Sequence, residues 1–210
     1  PSYLMGINIF KIRKNIKKYL LIRHRKFLKD SCIKLANIFQ QRQIKSLIIL
    51  NYDSKIEKFL LWKQQLIAES LGKNRKGLLP VVSNVPKDHH SLLQLYLDGP
   101  KDKIFNIFSI NNKTKINIKT NLISKDAFFL KNKFVENIKM AQRDALTKTL
   151  KKNKFSFREF IIKNYNEETL GELFSYFILE TIIIANLVKV NPFNQPAVEQ
   201  VKVITKKILS

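Results

Sequence analysis

Short segments of this chain place side chains that can transfer protons next to side chains that can bind oxygen atoms. Gln65 and Glu69 are four residues apart, so a helix would put the amide and the carboxylate on one face. Gln195 and Lys202 are seven residues apart, and Pro196 is positioned to open a helix between them. A carboxylate can remove and return a proton, and a lysine can stabilise negative charge that develops during a reaction.

A further segment adds two adjacent histidines, His89 and His90, which follow Asp88. A histidine titrates near neutral pH, so it can donate a proton to an oxygen atom under ordinary conditions. Each of these residues also has an ordinary interpretation. An isolated glutamate near a helix end, such as Glu69, is usually solvated, and a histidine pair at a helix start is usually a surface cap. Spacing alone shows only that the groups can converge.

The elements that must position these residues are predicted from hydrophobic periodicity and from helix stop and start signals. Strands are predicted at 46–50, 77–82, 103–110 and 155–163, and a polar loop at 111–121. Helices are predicted at 7–41, 53–71, 89–97, 126–152, 167–188 and 196–208. Alternating strands and helices are typical of the α/β class, here a three-layer α/β/α sandwich with a mostly parallel sheet and a C-terminal helical tail.

The predicted organisation has three parts. Residues 1–45 form a helical lead-in that packs between domains, residues 46–190 form the α/β/α domain, and residues 191–210 form a helix that carries Lys202. Ligands of such sheets bind beyond the carboxyl ends of the strands. The loops near the site are therefore expected at 51–52, 82–88 and 164–166. Because the chain begins with Pro1, we expect a processed product or a fragment.

The formal net charge of +23 and the pI near 10.1 favour, taken alone, a polyanionic partner. The cations are mostly lysines spread from Lys11 to Lys207, whereas nucleic-acid readers rely on arginine and on aromatic platforms. We therefore expect no nucleic-acid partner. A basic nucleic-acid or membrane-surface binder stays an alternative because residues 11–29 are densely basic.

The cell compartment is expected to be the reducing cytoplasm. A single cysteine, Cys32, excludes a disulfide framework, and the N-terminus has no signal-peptide pattern. The long apolar stretch at 173–190 contains Glu180 near its middle, and a charge is costly at a bilayer centre. This stretch is therefore predicted to be a buried helix, and no membrane partner is expected.

The same segments resemble those of one enzyme family. Residues 185–202 (ANLVKVNPFNQPAVEQVK) resemble the C-terminal signature of glucose-6-phosphate isomerases. Glu69 lies in a Glu-Ser-x-Gly-Lys segment that resembles the family's catalytic-glutamate segment. The order Asp-His-His-Ser at 88–91 is similar to the family's Asp-x-His-Ser and puts the family histidine at His90. The resemblance runs over essentially all 210 residues.

The resemblance implies a sugar-isomerase-type (SIS) domain that interconverts glucose 6-phosphate and fructose 6-phosphate, a step of glycolysis and gluconeogenesis. It implies that Glu69 moves a proton through a cis-enediol intermediate, that His90 opens the sugar ring, and that Lys202 assists. Gln65 and Gln195 would bind oxygens of the sugar phosphate. Neither a metal nor a cofactor is implied. The full enzyme would be a homodimer in which the histidine reaches the neighbouring subunit's site.

The chain also departs from the family pattern. It has no Gly-Gly-Arg motif and no Ser-Lys-Thr-Phe-type phosphate loop, both of which belong to the N-terminal part of the family enzyme. We therefore expect the isolated chain to be inactive or nearly so. The alternative is a non-catalytic module of the same fold that binds a sugar phosphate. The presence of Glu69, His90 and Lys202 together favours the enzyme.

Overall fold

The computed structural model describes residues 2–41, 43–111, 116–119 and 124–210. The helices of these residues are α1 (Ile9–Arg13), α2 (Ile22–Gln40), α3 (Glu57–Leu71), α4 (Lys87–Ser91), α5 (Leu93–Asp98), α6 (Val135–Lys152), α7 (Glu167–Leu187) and α8 (Pro196–Leu209). The strands are β1 (Ser46–Asn51), β2 (Leu79–Asn84), β3 (Lys103–Ile110) and β4 (Phe157–Ile162). Short 3₁₀ turns occupy Lys18–Leu20, Ser54–Ile56 and Lys125–Leu130.

The four strands form one sheet in the order β2-β1-β3-β4. The pairs β1–β3 and β3–β4 are parallel, with Ser46 opposite Lys103 and Phe105 opposite Phe157. Every residue of β3 and nearly every residue of β1 is buried, so both faces of these strands are covered. Strands buried on both faces are typical of parallel sheets in α/β proteins. The predicted α/β/α class is confirmed.

The chain divides into two compact units, and β1, β3, β4 and most of β2 belong to the unit of residues 46–60 and 81–166. Its core forms where alternate side chains of β1 and β3 pack with α5 and α6. Members of this cluster include Ile48, Leu50, Phe105, Ile107, Tyr96, Leu146 and Leu150. The three-part division of the chain at residues 45 and 190 stays a prediction.

The other unit holds residues 1–45, 61–80 and 167–210, and α7 is its central helix. Helix α7 has the length and apolar composition of a membrane span, but α1 and α2 pack against it. Its buried Glu180 accepts a hydrogen bond from Tyr176 Oη at 2.9 Å. The buried residues of α7 are Gly171, Tyr176, Phe177, Glu180, Thr181, Ile184 and Ala185. The helix is therefore buried along one stripe, which is less than the sequence predicts.

The predicted helix over 7–41 is interrupted between α1 and α2. The hydroxyl of Ser175, on α7, donates to the Ile16 carbonyl, and Arg25 donates to the Leu20 carbonyl at 3.0 Å. Leu21 is extended, with φ −71° and ψ 142°. Carbonyls at this break are thus bonded by side chains, which sequence periodicity cannot reveal.

Two other predicted helices are shorter than expected or divided. The helix predicted over 126–152 begins only at Val135, because Asn132 adopts a left-handed φ of 56° after the 3₁₀ turn. The helix predicted over 89–97 is divided into α4 and α5 at Leu92. The polar loop predicted over 111–121 lies largely outside the described residues, although Asn117 forms an isolated antiparallel bridge.

Candidate active site

Glu69 occupies the last turn of α3, where a glycine ends the helix. A Cβ atom on Gly72 would come within 2.6 Å of the Ala68 carbonyl oxygen, so a larger residue would force the backbone to shift where the chain leaves the helix. Glu69 is half-buried, and its Oε1 accepts a hydrogen bond from Gln65 Nε2 at 2.9 Å. The predicted placement of these two residues on one helical face is thus observed.

The second oxygen of Glu69 is bonded by a residue far away in the chain. Gln195 Nε2 donates to Glu69 Oε2 at 2.8 Å. Gln195 holds the N-cap position of α8, and Pro196 is the first residue of that helix. The Gln195 side chain makes no capping bond to α8, since its amide is directed at Glu69 instead. Both carboxylate oxygens are therefore held by amide groups from two different elements.

Lys202 lies on α8 but does not bond to Glu69. Its Nζ is 2.7 Å from Oε1 of Glu199, one turn earlier on the helix, and both side chains are exposed. An exposed ion pair of this kind is readily exchanged for another anion, because water screens it. The structure therefore places Lys202 on the helix that Gln195 begins, with its ammonium near the surface.

His90 lies on α4, in the unit that contains the sheet, and its side chain is exposed. The start of α4 is held by Asp88, whose Oδ2 accepts hydrogen bonds from Ser83 Oγ and the Asn84 amide, both at 2.9 Å. Asp88 therefore fixes the helix that carries His90 to the end of β2. His90 belongs to the unit that contains β3 and β4, whereas Gln65, Glu69 and Gln195 belong to the other unit, so a role of His90 beside them stays a prediction.

The neighbouring histidine has a defined partner that sequence reasoning missed. His89 Nε2 lies 2.9 Å from Tyr52 Oη. Burial lowers the pKa of His89, against the opposing effect of Asp88, and burial also raises the pKa of Tyr52. Both shifts favour a neutral imidazole that accepts a hydrogen bond from a protonated phenol. The sequence treats His89 as filling a variable position, so it contains no signal for this pair.

Lys73 is a second residue near the site to which the sequence assigned no role. Its Nζ donates to the Asn191 carbonyl oxygen at 2.5 Å. Burial lowers the pKa of Lys73, and the negative charge of Glu69 opposes that shift. The sequence feature that could have identified Lys73 is its spacing, because it follows Glu69 by four residues in the Glu-Ser-x-Gly-Lys segment.

The carboxyl edge of the sheet carries an ion-pair network. Lys139 Nζ lies 3.3 Å from Asp53 Oδ2 and 3.0 Å from Glu136 Oε2, and both carboxylates are buried. Asp53 also accepts a hydrogen bond from the Lys55 amide at 3.0 Å. The loops predicted to surround the site follow strands of this sheet, and their proximity to Glu69 stays a prediction. Among the described residues, no group of three or more acidic, histidine or cysteine side chains is arranged to hold a metal ion.

Comparisons with known proteins point to one family by sequence, although no protein-family model matches the chain. A glucose-6-phosphate isomerase of Methanocaldococcus jannaschii is 29% identical over 213 residues, which cover 100% of this chain and 53% of the relative. A glucose-6-phosphate isomerase of Mycoplasmopsis synoviae is 35% identical over 74% of this chain and 37% of its own length. The chain thus spans about half of the curated relatives it matches, or less.

Solved structures agree on the fold. A hypothetical protein from Thermus thermophilus superposes with a TM-score of 0.86 at 23% identity, over 98% of this chain and 51% of that protein. A glucose-6-phosphate isomerase from Chlamydia trachomatis superposes with a TM-score of 0.70 at 14% identity, over 95% of this chain and 41% of its own. At these identities the likeness concerns the fold alone.

Proposed function

We propose that this chain, a relative of the glucose-6-phosphate isomerases, contributes the proton-transfer base of an aldose–ketose isomerase. The reaction would interconvert glucose 6-phosphate and fructose 6-phosphate. The observation that carries the proposal is the fixed carboxylate of Glu69, which accepts hydrogen bonds from Gln65 and Gln195. A base must be held in place to act on one carbon atom after another of the same substrate.

The chemistry follows from what each group can do. Glu69 takes the proton from C2 of the open aldose, which leaves a cis-enediolate with its negative charge on O1. A proton passes from the O2 hydroxyl to O1, and protonated Glu69 returns its proton to C1, which gives the ketose with its carbonyl at C2. The amides of Gln65 and Gln195 each have a second N–H donor and a carbonyl oxygen. These groups can bind sugar hydroxyls while the first N–H stays on Glu69, so holding the base and binding the substrate are compatible roles.

His90 and Lys202 supply the ring-opening step in this proposal. His90 protonates the ring oxygen, and Lys202 stabilises the negative charge that develops on the sugar. The exposure of both side chains supports contact with groups outside their own unit. We propose that His90 acts in the site of the neighbouring subunit of a homodimer, and that Lys202 exchanges Glu199 for the substrate.

The proposed setting is sugar phosphate metabolism in the cytoplasm, in glycolysis and gluconeogenesis. The substrate is a small anion that can bind cationic side chains near the site. A nucleic acid or a membrane is therefore not needed to explain these side chains. No cofactor is needed, because proton transfer by a carboxylate completes the reaction.

The proposal is tested with the whole protein that carries this chain, incubated with glucose 6-phosphate in deuterium oxide. We expect fructose 6-phosphate with deuterium at C1, because the proton on Glu69 exchanges with solvent before it is returned. Binding of the sugar phosphate without turnover would contradict the proposal and would identify a non-catalytic sugar-phosphate-binding module.

A further inference from the structure

We propose that Lys73 is a positioning residue that holds Gln195 against the carboxylate of Glu69. The inference rests on the proposed function only in calling Glu69 the base, since the contacts themselves belong to the structure. Lys73 follows the glycine that ends α3, whereas Gln195 lies just before α8. The lysine therefore connects the end of one element to the start of another.

The connection runs through the segment at 191–195, which joins α7 to α8. The ammonium of Lys73 donates to the carbonyl oxygen of Asn191 at 2.5 Å. The Asn191 side chain then accepts a hydrogen bond from the Phe193 amide at 2.9 Å, which folds the segment into a turn. Gln195 follows directly and donates to Glu69 at 2.8 Å. The hydrogen bond of Lys73 restrains Asn191, the turn at Asn191 restrains the chain up to Gln195, and Gln195 in turn holds the carboxylate of Glu69.

Few other contacts fix the conformation of the segment at 191–195. The last buried residue before it is Val190, and Phe193 is 79% exposed. For the described residues, the hydrogen bonds between this segment and the end of α3 are those made by Lys73 and by Gln195. A segment without apolar packing keeps its conformation only through such polar contacts. Removing the Lys73 bond should therefore free Gln195.

Charge explains why a lysine suits this position. A hydrogen bond from an ammonium to a carbonyl is stronger than one between neutral groups. Lys73 is also close enough to Glu69 for the carboxylate to act on its charge. Directly after Lys73, Asn74 and Arg75 adopt left-handed φ values of 54° and 58°, so the chain turns at once. This turn keeps the lysine beside the end of α3.

The test uses the side-chain amide signals of glutamine in nuclear magnetic resonance spectra of the whole protein that carries this chain. We expect Lys73→Met, which keeps the aliphatic part of the side chain and removes the donor, to shift the Gln195 signal and speed its exchange with water. Lys73→Arg keeps a charged donor and should preserve the Gln195 signal. The Gln65 signal should persist in both variants, because its bond to Glu69 lies within α3, and it reports that α3 is folded.

A matched control is Lys76→Met, since Lys76 Nζ donates in a similar way to the Val188 carbonyl at 2.8 Å, at the end of α7. We expect Lys76→Met to leave the Gln195 signal in place. An unchanged Gln195 signal in Lys73→Met would overturn the inference. An equal effect of both methionine variants would also overturn it, because the effect would then belong to the whole connection between α3 and α7.

Kinetics of the whole protein separate this inference from the proposed function. Lys73→Met should lower kcat by about 10- to 100-fold with a smaller change in KM, and Lys73→Arg should restore most of the rate. If the wild-type protein shows no isomerisation, the proposed function fails while the spectra still decide the role of Lys73. If the wild type is active and Lys73→Met keeps its full rate, the inference fails alone.

Discussion

The carboxylate of Glu69 is held from two sides by amide groups that reach it in different ways. Gln65 is one helical turn away, so its position follows directly from the geometry of α3. Gln195 arrives from the start of α8, and its position depends on the path of the chain after α7. Losing the first contact would disturb only a helix face, whereas losing the second would separate the base from α8.

The pair of His89 and Tyr52 gives a prediction about pH. Burial lowers the pKa of His89 below the ordinary 6.5, so the unfolded chain binds more protons than the folded chain when the pH falls below that value. The free energy of unfolding should therefore be fully maintained above pH 6.5 and decrease as the pH falls through the range below it. The His89→Gln variant should show a flatter decrease, measured by urea unfolding at a series of pH values.

Tyr52→Phe distinguishes the two possible causes of this pH dependence. The variant removes the hydroxyl that lies 2.9 Å from His89 Nε2 but keeps the aromatic ring that buries it. Because burial is the main cause of the shift, the slope should persist in Tyr52→Phe. Equal slopes in the wild type and in His89→Gln would contradict the account of His89.

At the scale of elements, the contact of α1 with α7 depends on one small residue. A Cβ atom on Gly171 would overlap the carbonyl oxygen of Ile12, which is backbone and cannot move aside as a side chain would. We predict that Gly171→Ala lowers the free energy of unfolding by about 1–3 kcal/mol, the range found for overpacked sites. Chemical unfolding followed by circular dichroism measures this change.

The control for the glycine is Asn186→Ala, an exposed position near the end of the same helix. Alanine has a higher helix propensity than asparagine, so this variant should leave the free energy of unfolding nearly unchanged or raise it slightly. If Gly171→Ala proved as stable as Asn186→Ala, the close approach of α1 and α7 would not hold in solution.

The sequence predicts the bounds of an element well when local hydrophobicity determines them. It predicts them poorly when other parts of the fold determine where the element begins or ends. The strand predicted at 103–110 matches β3, because both of its faces are buried and its apolar run is therefore continuous. The helix predicted over 7–41 fails near Ile16, whose carbonyl accepts from Ser175 on α7. The helix predicted over 126–152 starts late because of the left-handed Asn132. Local hydrophobic patterns describe helix interiors. A contact from a distant residue sets the end near Ile16, and a left-handed backbone conformation sets the start at Val135.

At the scale of the whole molecule, the described surface exposes large apolar side chains near both chain ends. Phe10 is 89% exposed and Ile22 85% exposed, and α8 also exposes apolar residues such as Ile208. Large exposed apolar surfaces are typical of interaction sites or of surfaces that promote aggregation. The matched relatives are roughly twice as long as this chain, which is consistent with further polypeptide that covers these side chains.

We therefore predict that the isolated 210-residue chain binds a hydrophobic dye or self-associates. The double variant Phe10→Ser and Ile22→Ser should reduce dye fluorescence, whereas the same substitution at the buried Leu35 should not, unless the chain unfolds. Dye titration and analytical ultracentrifugation measure the two properties. A monomeric wild-type chain with low dye binding would argue against the prediction.

The candidate site was predictable from the sequence only in part. Gln65, Glu69 and Gln195 were chosen by spacing and by resemblance, and the structure brings these three together. His90 and Lys202 were chosen in the same way, and their roles stay predictions. Lys73 was overlooked because its partner is a backbone carbonyl of Asn191, and a carbonyl at a distant position has no sequence pattern.

The central claim is that Glu69 is the base of an isomerase, and replacing its carboxylate tests it most directly. Glu69→Gln keeps the size and polarity of the side chain and removes its basic oxygens. In the whole protein we predict that kcat for glucose 6-phosphate falls by about 10²- to 10⁴-fold, the contribution of a positioned base, while the sugar phosphate still binds. Near-normal turnover by Glu69→Gln would contradict the account.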